Sequence, residues 1–122
     1  MGQHVVLIED EPNIVEAIRF ILSRDGWQVS SLACGTGAVE LVQTTRPDLV
    51  ILDVMLPGCG GFEILEALRA DPALAGLPVM MLTAKGQGRD REAAERAGVD
   101  IFMAKPFSNA EMLASVRALV AR

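Results

Sequence analysis

The chain has 122 residues, of which 51% are hydrophobic and 22% are charged, and its formal net charge is −5. This length suits one domain, the composition excludes a disordered segment, and the acidity argues against a surface that wraps nucleic acid. Two cysteines and one histidine are too few for a cysteine–histidine zinc site or a disulfide framework.

The sequence carries no sign of membrane insertion or secretion. No segment approaches the roughly 20 consecutive apolar residues of a membrane helix. The N-terminus lacks the basic stretch and apolar run of a signal peptide. Because cysteine usage favours a reducing compartment, we expect a cytoplasmic protein that binds no membrane.

Five short apolar segments alternate along the chain with segments of helical periodicity. The apolar segments predict strands at 5–8, 27–32, 49–52, 79–82 and 99–103. Apolar residues recur at helical spacing within 14–22, 64–68 and 112–120. Five strands that alternate with five helices predict an α/β domain with a parallel sheet and helices on both faces.

Residues at the expected helix ends support these assignments. Pro12 fits the first turn of a helix, where a backbone N–H has no partner within the helix. Gly26 and Gly98 follow helical segments, as glycines at helix C-termini do. Ser108 and Glu111 have the spacing of a capping box at the start of the last helix.

Polar residues end or follow four of the predicted strands, at the sheet edge where open parallel sheets bind ligands. They are Glu9, Asp10, Glu11, Asp53, Thr83 and Lys105. Any one of these acids alone is typical of a solvated loop or a helix cap. Together they place several carboxylates at one edge, where their mutual repulsion favours a divalent cation such as magnesium.

Four segments resemble the receiver domain of two-component response regulators, and the resemblance covers essentially the whole chain. The segments are Ile8-Glu9-Asp10-Glu11-Pro12, Leu52-Asp53-Val54-Met55-Leu56-Pro57-Gly58, Leu82-Thr83-Ala84-Lys85 and Lys105-Pro106-Phe107. The resemblance implies a single receiver domain over residues 1–122. Its fold would be a doubly wound (βα)5 domain, with a five-stranded parallel sheet in the flavodoxin-like order 2-1-3-4-5.

The resemblance also implies a role for each polar residue at the sheet edge. Asp53 would accept a phosphoryl group from a histidine kinase or a histidine phosphotransfer protein. Asp10, Asp53 and the backbone carbonyl of Met55 would bind Mg²⁺ or Mn²⁺, and Glu9 would act on the ion through water. Lys105 would pair with the phosphoryl group, and its peptide bond to Pro106 would be cis.

Thr83 and Phe102 would form the switch that responds to phosphorylation. By resemblance, the Thr83 hydroxyl turns toward the phosphoryl group, and Phe102 occupies the position of the family's rotating aromatic residue. An ordinary core aromatic is the alternative for Phe102, which has no hydroxyl to anchor an outward position. The switch would change the face formed by the fourth helix, fifth strand and fifth helix, to control a partner or a fused output domain.

Two departures from the family pattern concern the loop after Asp53 and the lifetime of the phosphorylated state. Cys59-Gly60-Gly61 replaces the usual Met-Asp-Gly, so Gly60 lacks a capping side chain and we expect a looser loop. The positions that tune dephosphorylation hold Met55 and Lys85, neither of which readily orients an attacking water. We therefore predict an acyl phosphate that persists for minutes or more.

A third departure concerns dimers through the face of the fourth helix, fifth strand and fifth helix. One expected charged pair is missing, because its positions hold Ile101 and Ser115. The remaining candidates for such pairs are Asp100, Glu111, Arg91 and Arg117. We expect a monomer before phosphorylation, and the sequence leaves a phosphorylation-driven dimer open.

Three other functions compete with the switch. A docking module that is not phosphorylated would not need the intact set of polar residues. An aspartate-based, magnesium-dependent phosphohydrolase would place a second acid where Met55 stands, and a nucleotide-binding loop is not matched by Gly35-Thr36-Gly37. We expect no enzyme activity beyond the domain's own phosphorylation and slow dephosphorylation, and no direct binding to nucleic acid.

Overall fold

The computed structural model describes residues 3–84 and 88–121, with the backbone alone at 84 and 88–90. Strands and helices alternate along the described residues, as predicted. The strands are β1 (Gln3–Ile8), β2 (Trp27–Leu32), β3 (Leu49–Asp53), β4 (Val79–Ala84) and β5 (Ile101–Lys105). The helices are α1 (Pro12–Arg24), α2 (Ala38–Thr45), α3 (Gly61–Ala70), α4 (Gly88–Ala97) and α5 (Asn109–Val120).

The strands form one parallel sheet in the order β2-β1-β3-β4-β5, which confirms the expected topology. The chain starts in the middle of the sheet, adds β2 on one side, and then adds β3, β4 and β5 on the other. The carboxyl ends of β1 and β3 therefore meet at the point where the winding reverses. This is the place where doubly wound sheets bind their ligands.

Apolar side chains fill both sides of the sheet. Along β1, Val5 and Leu7 point to the layer of α1 and α5, whereas Val6 and Ile8 point to the layer of α2, α3 and α4. Both sets are fully buried. Burial on two faces explains why these strands appear in the sequence as uninterrupted apolar runs.

The helix ends follow the sequence signals. Pro12 is the first residue of α1, and Gly26 and Gly98 have φ angles of 89° and 97°, which favour glycine. At the start of α5, the Ser108 hydroxyl accepts from the Glu111 N–H at 3.0 Å. The Glu111 carboxylate accepts from the Ser108 N–H at 2.9 Å, which completes the predicted capping box. No helix among the described residues has both the length and the apolar character needed to cross a bilayer.

The fifth strand begins two residues later than predicted from the apolar run. The N–H of Val99 donates to the carbonyl of Ala94 at 3.0 Å, so Val99 belongs to the turn that closes α4. The carboxylate of Asp100 accepts from the N–H of Val79 at 2.9 Å. Apolar character alone does not distinguish a residue that closes a helix from one that begins a strand.

Arg69 joins the two connections that flank β4. Its guanidinium donates to the carbonyls of Ala75, Leu77 and Gly98 at 3.0, 2.7 and 2.9 Å. It also forms an ion pair with Asp100 at 2.9 Å. One side chain near the end of α3 thus holds the turn before β4 and the turn before β5 together.

We expect Arg69→Ala to lower the free energy of unfolding by about 2–3 kcal/mol, because it leaves two partly buried acceptors, the Leu77 carbonyl and the Asp100 carboxylate, without their charged donor. Arg69→Lys should recover only part of this loss, since one ammonium cannot reproduce the guanidinium fork. Urea denaturation measures both. Arg96→Ala on exposed α4 surface is the control and should change stability by less than about 0.5 kcal/mol. An Arg69→Ala effect as small as the control would contradict the bridging role.

Candidate functional site

Three carboxylates meet at the carboxyl ends of β1 and β3. The pairing of Ile8 with Leu52 sets Glu9 beside Asp53, and Asp10 follows in the chain. One carboxylate oxygen from each acid lies within 4.8 Å of those of the other two. Glu9 and Asp53 are only 1% and 5% exposed, whereas Asp10 faces solvent. The structure thus assembles the acidic cluster that the strand order predicted.

Lys105 reaches this cluster from the far side of β4. Its Nζ donates to Oδ2 of Asp53 at 3.2 Å and lies 2.9 Å from Oε1 of Glu9. The direct ion pair with Glu9 was not predicted, since the resemblance assigned Lys105 to the phosphoryl group alone. The peptide bond between Lys105 and Pro106 is cis, as predicted.

Burial and charge act together on this pair. Burial raises the pKa of Glu9 above its ordinary value, and the neighbouring charge of Asp53 raises it further, against the opposing effect of Lys105. Burial by itself would lower the pKa of Lys105, but its contacts with Glu9 and Asp53 outweigh burial, and the pKa is raised. The side chain of Lys105 is therefore protonated and positively charged at neutral pH.

The donor set suits a hard divalent cation. With all groups ionised, three carboxylates and one ammonium leave an excess of negative charge. Oε1 of Glu9 is buried and pairs with the Lys105 ammonium at 2.9 Å, without a hydrogen bond of good geometry from the described residues. Carboxylate oxygens such as those of this cluster are the ligands that magnesium prefers.

The Asp53 carboxylate is held from two sides. Its Oδ2 accepts from Lys105, and its Oδ1 accepts from the backbone N–H of Met55 at a long 3.4 Å. The Met55 side chain itself is 75% exposed. The expectation that the carbonyl of Met55 binds a metal stays a prediction.

Gly61 fixes the position of the strand end that carries Asp53. A Cβ at this position would lie 2.3 Å from the carbonyl oxygen of Asp53, so no larger residue fits without moving that backbone. The N–H of Gly61 donates to the carbonyl of Val54 at 3.1 Å. This role of Gly61 was not predicted, although the adjacent glycines Gly60 and Gly61 were a signal for a close backbone approach.

The loop before α3 is capped differently from the family pattern. Gly60 supplies no capping side chain, as predicted, but Glu63 accepts from its N–H at 3.3 Å. Gly35 packs directly against the backbone of Cys59, and its N–H donates to the carbonyl of Pro57 at 2.9 Å. Burial raises the pKa of the Cys59 thiol, and the charge of Glu63 adds to the effect, which disfavours a thiolate at this position.

Thr83 and Phe102 lie on the same face of the sheet. Met81 pairs with Phe102 and Thr83 pairs with Ala104, so the two switch candidates are diagonal neighbours on β4 and β5. Both are buried, at 4% and 8% exposure. No hydrogen bond joins the Thr83 hydroxyl to Asp53 within the described part of the chain. Lys85 lies outside the described residues.

Two of the charged groups considered for dimer contacts form ion pairs among the described residues of this chain. Asp100 pairs with Arg69, and Arg117 pairs with Asp25 at 2.6 Å. The hydrogen bond from Arg117 lowers the pKa of Asp25, and the same contact raises the pKa of Arg117. The expected oligomeric states stay predictions.

Comparisons with known proteins place this geometry in a family. The profile described as the response regulator receiver domain matches residues 5–117. The DNA-binding response regulator MtrA of Mycolicibacterium smegmatis is 37% identical over the whole chain, which covers 52% of that protein. The alkaline phosphatase synthesis transcriptional regulatory protein PhoP of Bacillus subtilis is 36% identical over the whole chain, which covers 50% of it.

A solved structure adds a comparison at the level of the fold. The receiver domain of the sensor histidine kinase PA1611 from Pseudomonas aeruginosa superposes with a TM-score of 0.91 at 30% identity, over 100% of both chains. That structure has a magnesium ion coordinated in its active-site cleft.

The chain spans about half the length of the curated relatives it matches. The match to the family covers nearly all of it, the topology agrees, and the polar residues meet where the resemblance implies. The relatives are regulators and not metabolic enzymes. The chain belongs to the response regulator receiver domain family of two-component systems.

Proposed function

We propose that residues 1–122 form one receiver domain that accepts a phosphoryl group on Asp53, with magnesium as its cofactor. The observation that carries the proposal is the buried Asp53 carboxylate, which lies beside Glu9 and Asp10 and accepts from Lys105. A carboxylate is a competent nucleophile for phosphoryl transfer. Asp53 lies between the protonated Lys105 and the acids Glu9 and Asp10, which would hold a cation. Both positive charges would stabilise the negative charge of the transferred phosphoryl group.

The donor is a phosphohistidine of a histidine kinase or a phosphotransfer protein. An oxygen of Asp53 bonds to phosphorus while the bond from phosphorus to the donor nitrogen breaks, and the imidazole keeps the electron pair and takes up a proton. Lys105, freed from Asp53, pairs with a phosphoryl oxygen. Asp10, Asp53 and the Met55 carbonyl would hold Mg²⁺ or Mn²⁺, with Glu9 acting through water. The bound ion supplies charge neutralisation for the acids and the phosphoryl oxygens.

The switch uses the face that Thr83 shares with Phe102. When the Thr83 hydroxyl turns toward a phosphoryl oxygen, it leaves space beside Ala104, which has only a methyl group to fill it. The ring of Phe102 lies diagonally next to that space and can occupy it. The surface of α4, β5 and α5 then changes, because β5 carries Phe102 and α4 covers it.

The output is a downstream protein or an output domain in the same polypeptide. The relatives that are about twice as long have names that describe DNA-binding or transcriptional regulators, which favours a fused domain. We assign no nucleic-acid or membrane contact to the receiver itself, and we place it in the cytoplasm as a monomer before phosphorylation. A dimer after phosphorylation stays open. The docking and phosphohydrolase alternatives gain no support, since the acidic cluster is intact and Met55 offers no acid.

We expect one added phosphoryl group on the wild-type domain after incubation with acetyl phosphate and magnesium, measured by intact mass. Asp53→Asn should show no gain, because an amide oxygen is a poor nucleophile and forms no acyl phosphate. Wild type without magnesium should also show none. Acetyl phosphate is a small donor, so the same assay with a phosphorylated histidine kinase is the second arm. No gain from either donor would contradict the proposal.

Magnesium at about 100 times its dissociation constant should raise the free energy of unfolding by about 2.7 kcal/mol. Asp10→Asn should remove most of this increase, while its stability without magnesium should be no lower than that of wild type, because one of three like charges is gone. Urea denaturation with and without the ion measures both effects. Glu16→Gln, an exposed acid on α1, is the matched control and should keep the full increase. An equal response in Asp10→Asn and wild type would place the ion elsewhere.

The acyl phosphate should persist for minutes or more in magnesium buffer after the donor is removed, because the exposed Met55 offers no group to orient an attacking water. Met55→Asn introduces an amide at this position and should shorten the half-life several-fold. Met55→Leu preserves an apolar side chain and should leave the half-life unchanged. Intact mass recorded over time gives the half-life of the acyl phosphate in all three proteins. Loss of the acyl phosphate within seconds in the wild-type protein would contradict the predicted long lifetime.

A further inference from the structure

Arg91 on α4 makes two contacts with the same residue of β5. Its guanidinium carbon lies 5.4 Å from the centroid of the Phe102 ring, within the range of a cation–π contact. Its Nη2 donates to the backbone carbonyl of Phe102 at 3.4 Å. Arg91 itself is exposed on the helix, whereas the ring beneath it is buried. The guanidinium therefore closes the ring's pocket from the solvent side.

The two contacts respond differently to a movement of the ring. The carbonyl of Phe102 belongs to β5 and keeps its place when the side chain rotates, so the hydrogen bond holds Arg91 over the strand in either case. A ring turned outward would leave the guanidinium, so the cation–π contact belongs to the inward orientation that the structure shows. A contact made in one of two states shifts the population toward that state.

We propose that Arg91 is a positioning residue that holds the Phe102 ring in its buried orientation and thereby favours the phosphorylated form of the switch. The proposal rests on the proposed function, in which a ring already buried beside Thr83 enters the space that Thr83 leaves. Phenylalanine has no hydroxyl with which to anchor either orientation, so a contact to the ring face is the available polar interaction. Arg91 supplies that contact before any phosphoryl group arrives.

The expected effect is modest and measurable. An exposed cation–π contact of ordinary strength corresponds to about a two- to fivefold change in the ratio of buried to exposed rings. By linkage, the affinity for a ligand that requires the buried ring should fall by up to the same factor when Arg91 is neutralised. The phosphoryl mimic beryllofluoride, added with magnesium, is such a ligand under the proposed function.

The first experiment observes the ring in the unphosphorylated protein. Fluorophenylalanine labelling gives one fluorine signal for each of the four phenylalanines, and the signal that Phe102→Leu removes is that of Phe102. Arg91→Gln should move this signal toward the value of an exposed ring and increase its solvent isotope shift. Arg96→Gln removes the same charge from the same helix and should leave the signal unchanged. This readout does not require that Asp53 accept a phosphoryl group.

The second experiment is a double-mutant cycle on beryllofluoride affinity in the presence of magnesium. Arg91→Gln should weaken binding by a factor of up to about five, and Arg91→Lys should weaken it less, because it keeps a cation. In the Phe102→Leu background, Arg91→Gln should have no further effect, since the ring through which it acts is gone. Circular dichroism confirms that each variant is folded.

The outcomes distinguish a failure of the proposed role of Arg91 from a failure of the proposed receiver function. An unchanged Phe102 signal in Arg91→Gln, or an equal change in Arg96→Gln, would overturn the role of Arg91. A loss of beryllofluoride affinity that persists in Phe102→Leu would overturn it as well, because the effect would not pass through the ring. A shifted ring signal together with no beryllofluoride binding in any variant, wild type included, would preserve the contact and overturn the proposed function instead.

Discussion

The structure depends on one electrostatic constraint, which is the convergence of three carboxylates at the point where the sheet reverses its winding. Two of these acids are buried, and burial makes their mutual repulsion stronger than it would be in water. Within the described residues, Lys105 is the cation that reaches both buried acids. One ammonium among three carboxylates leaves the cluster with an excess of negative charge, which favours a bound cation.

Close backbone packing around the end of β3 helps to hold the three carboxylates near one another. Gly61 allows α3 to begin directly against the carbonyl of Asp53, and Gly35 allows the loop after β2 to lie on the loop before α3. Neither glycine contributes a polar group to the site. Each permits an approach that a side chain would block, so the position of Asp53 is set by close packing behind it as much as by the strand that carries it.

Much of this could be predicted from the sequence, because the signals were local and repeated. The apolar runs fixed the strands, and the parallel order brought Glu9 and Asp53 together once β1 and β3 were neighbours. The start of β5 was wrong by two residues, since Val99 is apolar and yet closes a helix. Contacts such as Arg69 with Gly98, or Arg91 with Phe102, join positions far apart in the chain and leave no periodic signal. The ion pair of Lys105 with Glu9 was hidden for the same reason, although both residues were singled out.

The reach of Lys105 across β4 has a consequence for how the domain matures on the ribosome. The acids belong to β1 and β3 and are synthesised early, whereas their counter-charge is on the last strand. Until β5 is in place, the acids lack the lysine that pairs with them in the folded domain. The charge balance of the acidic cluster is thus completed by the strand that is synthesised last.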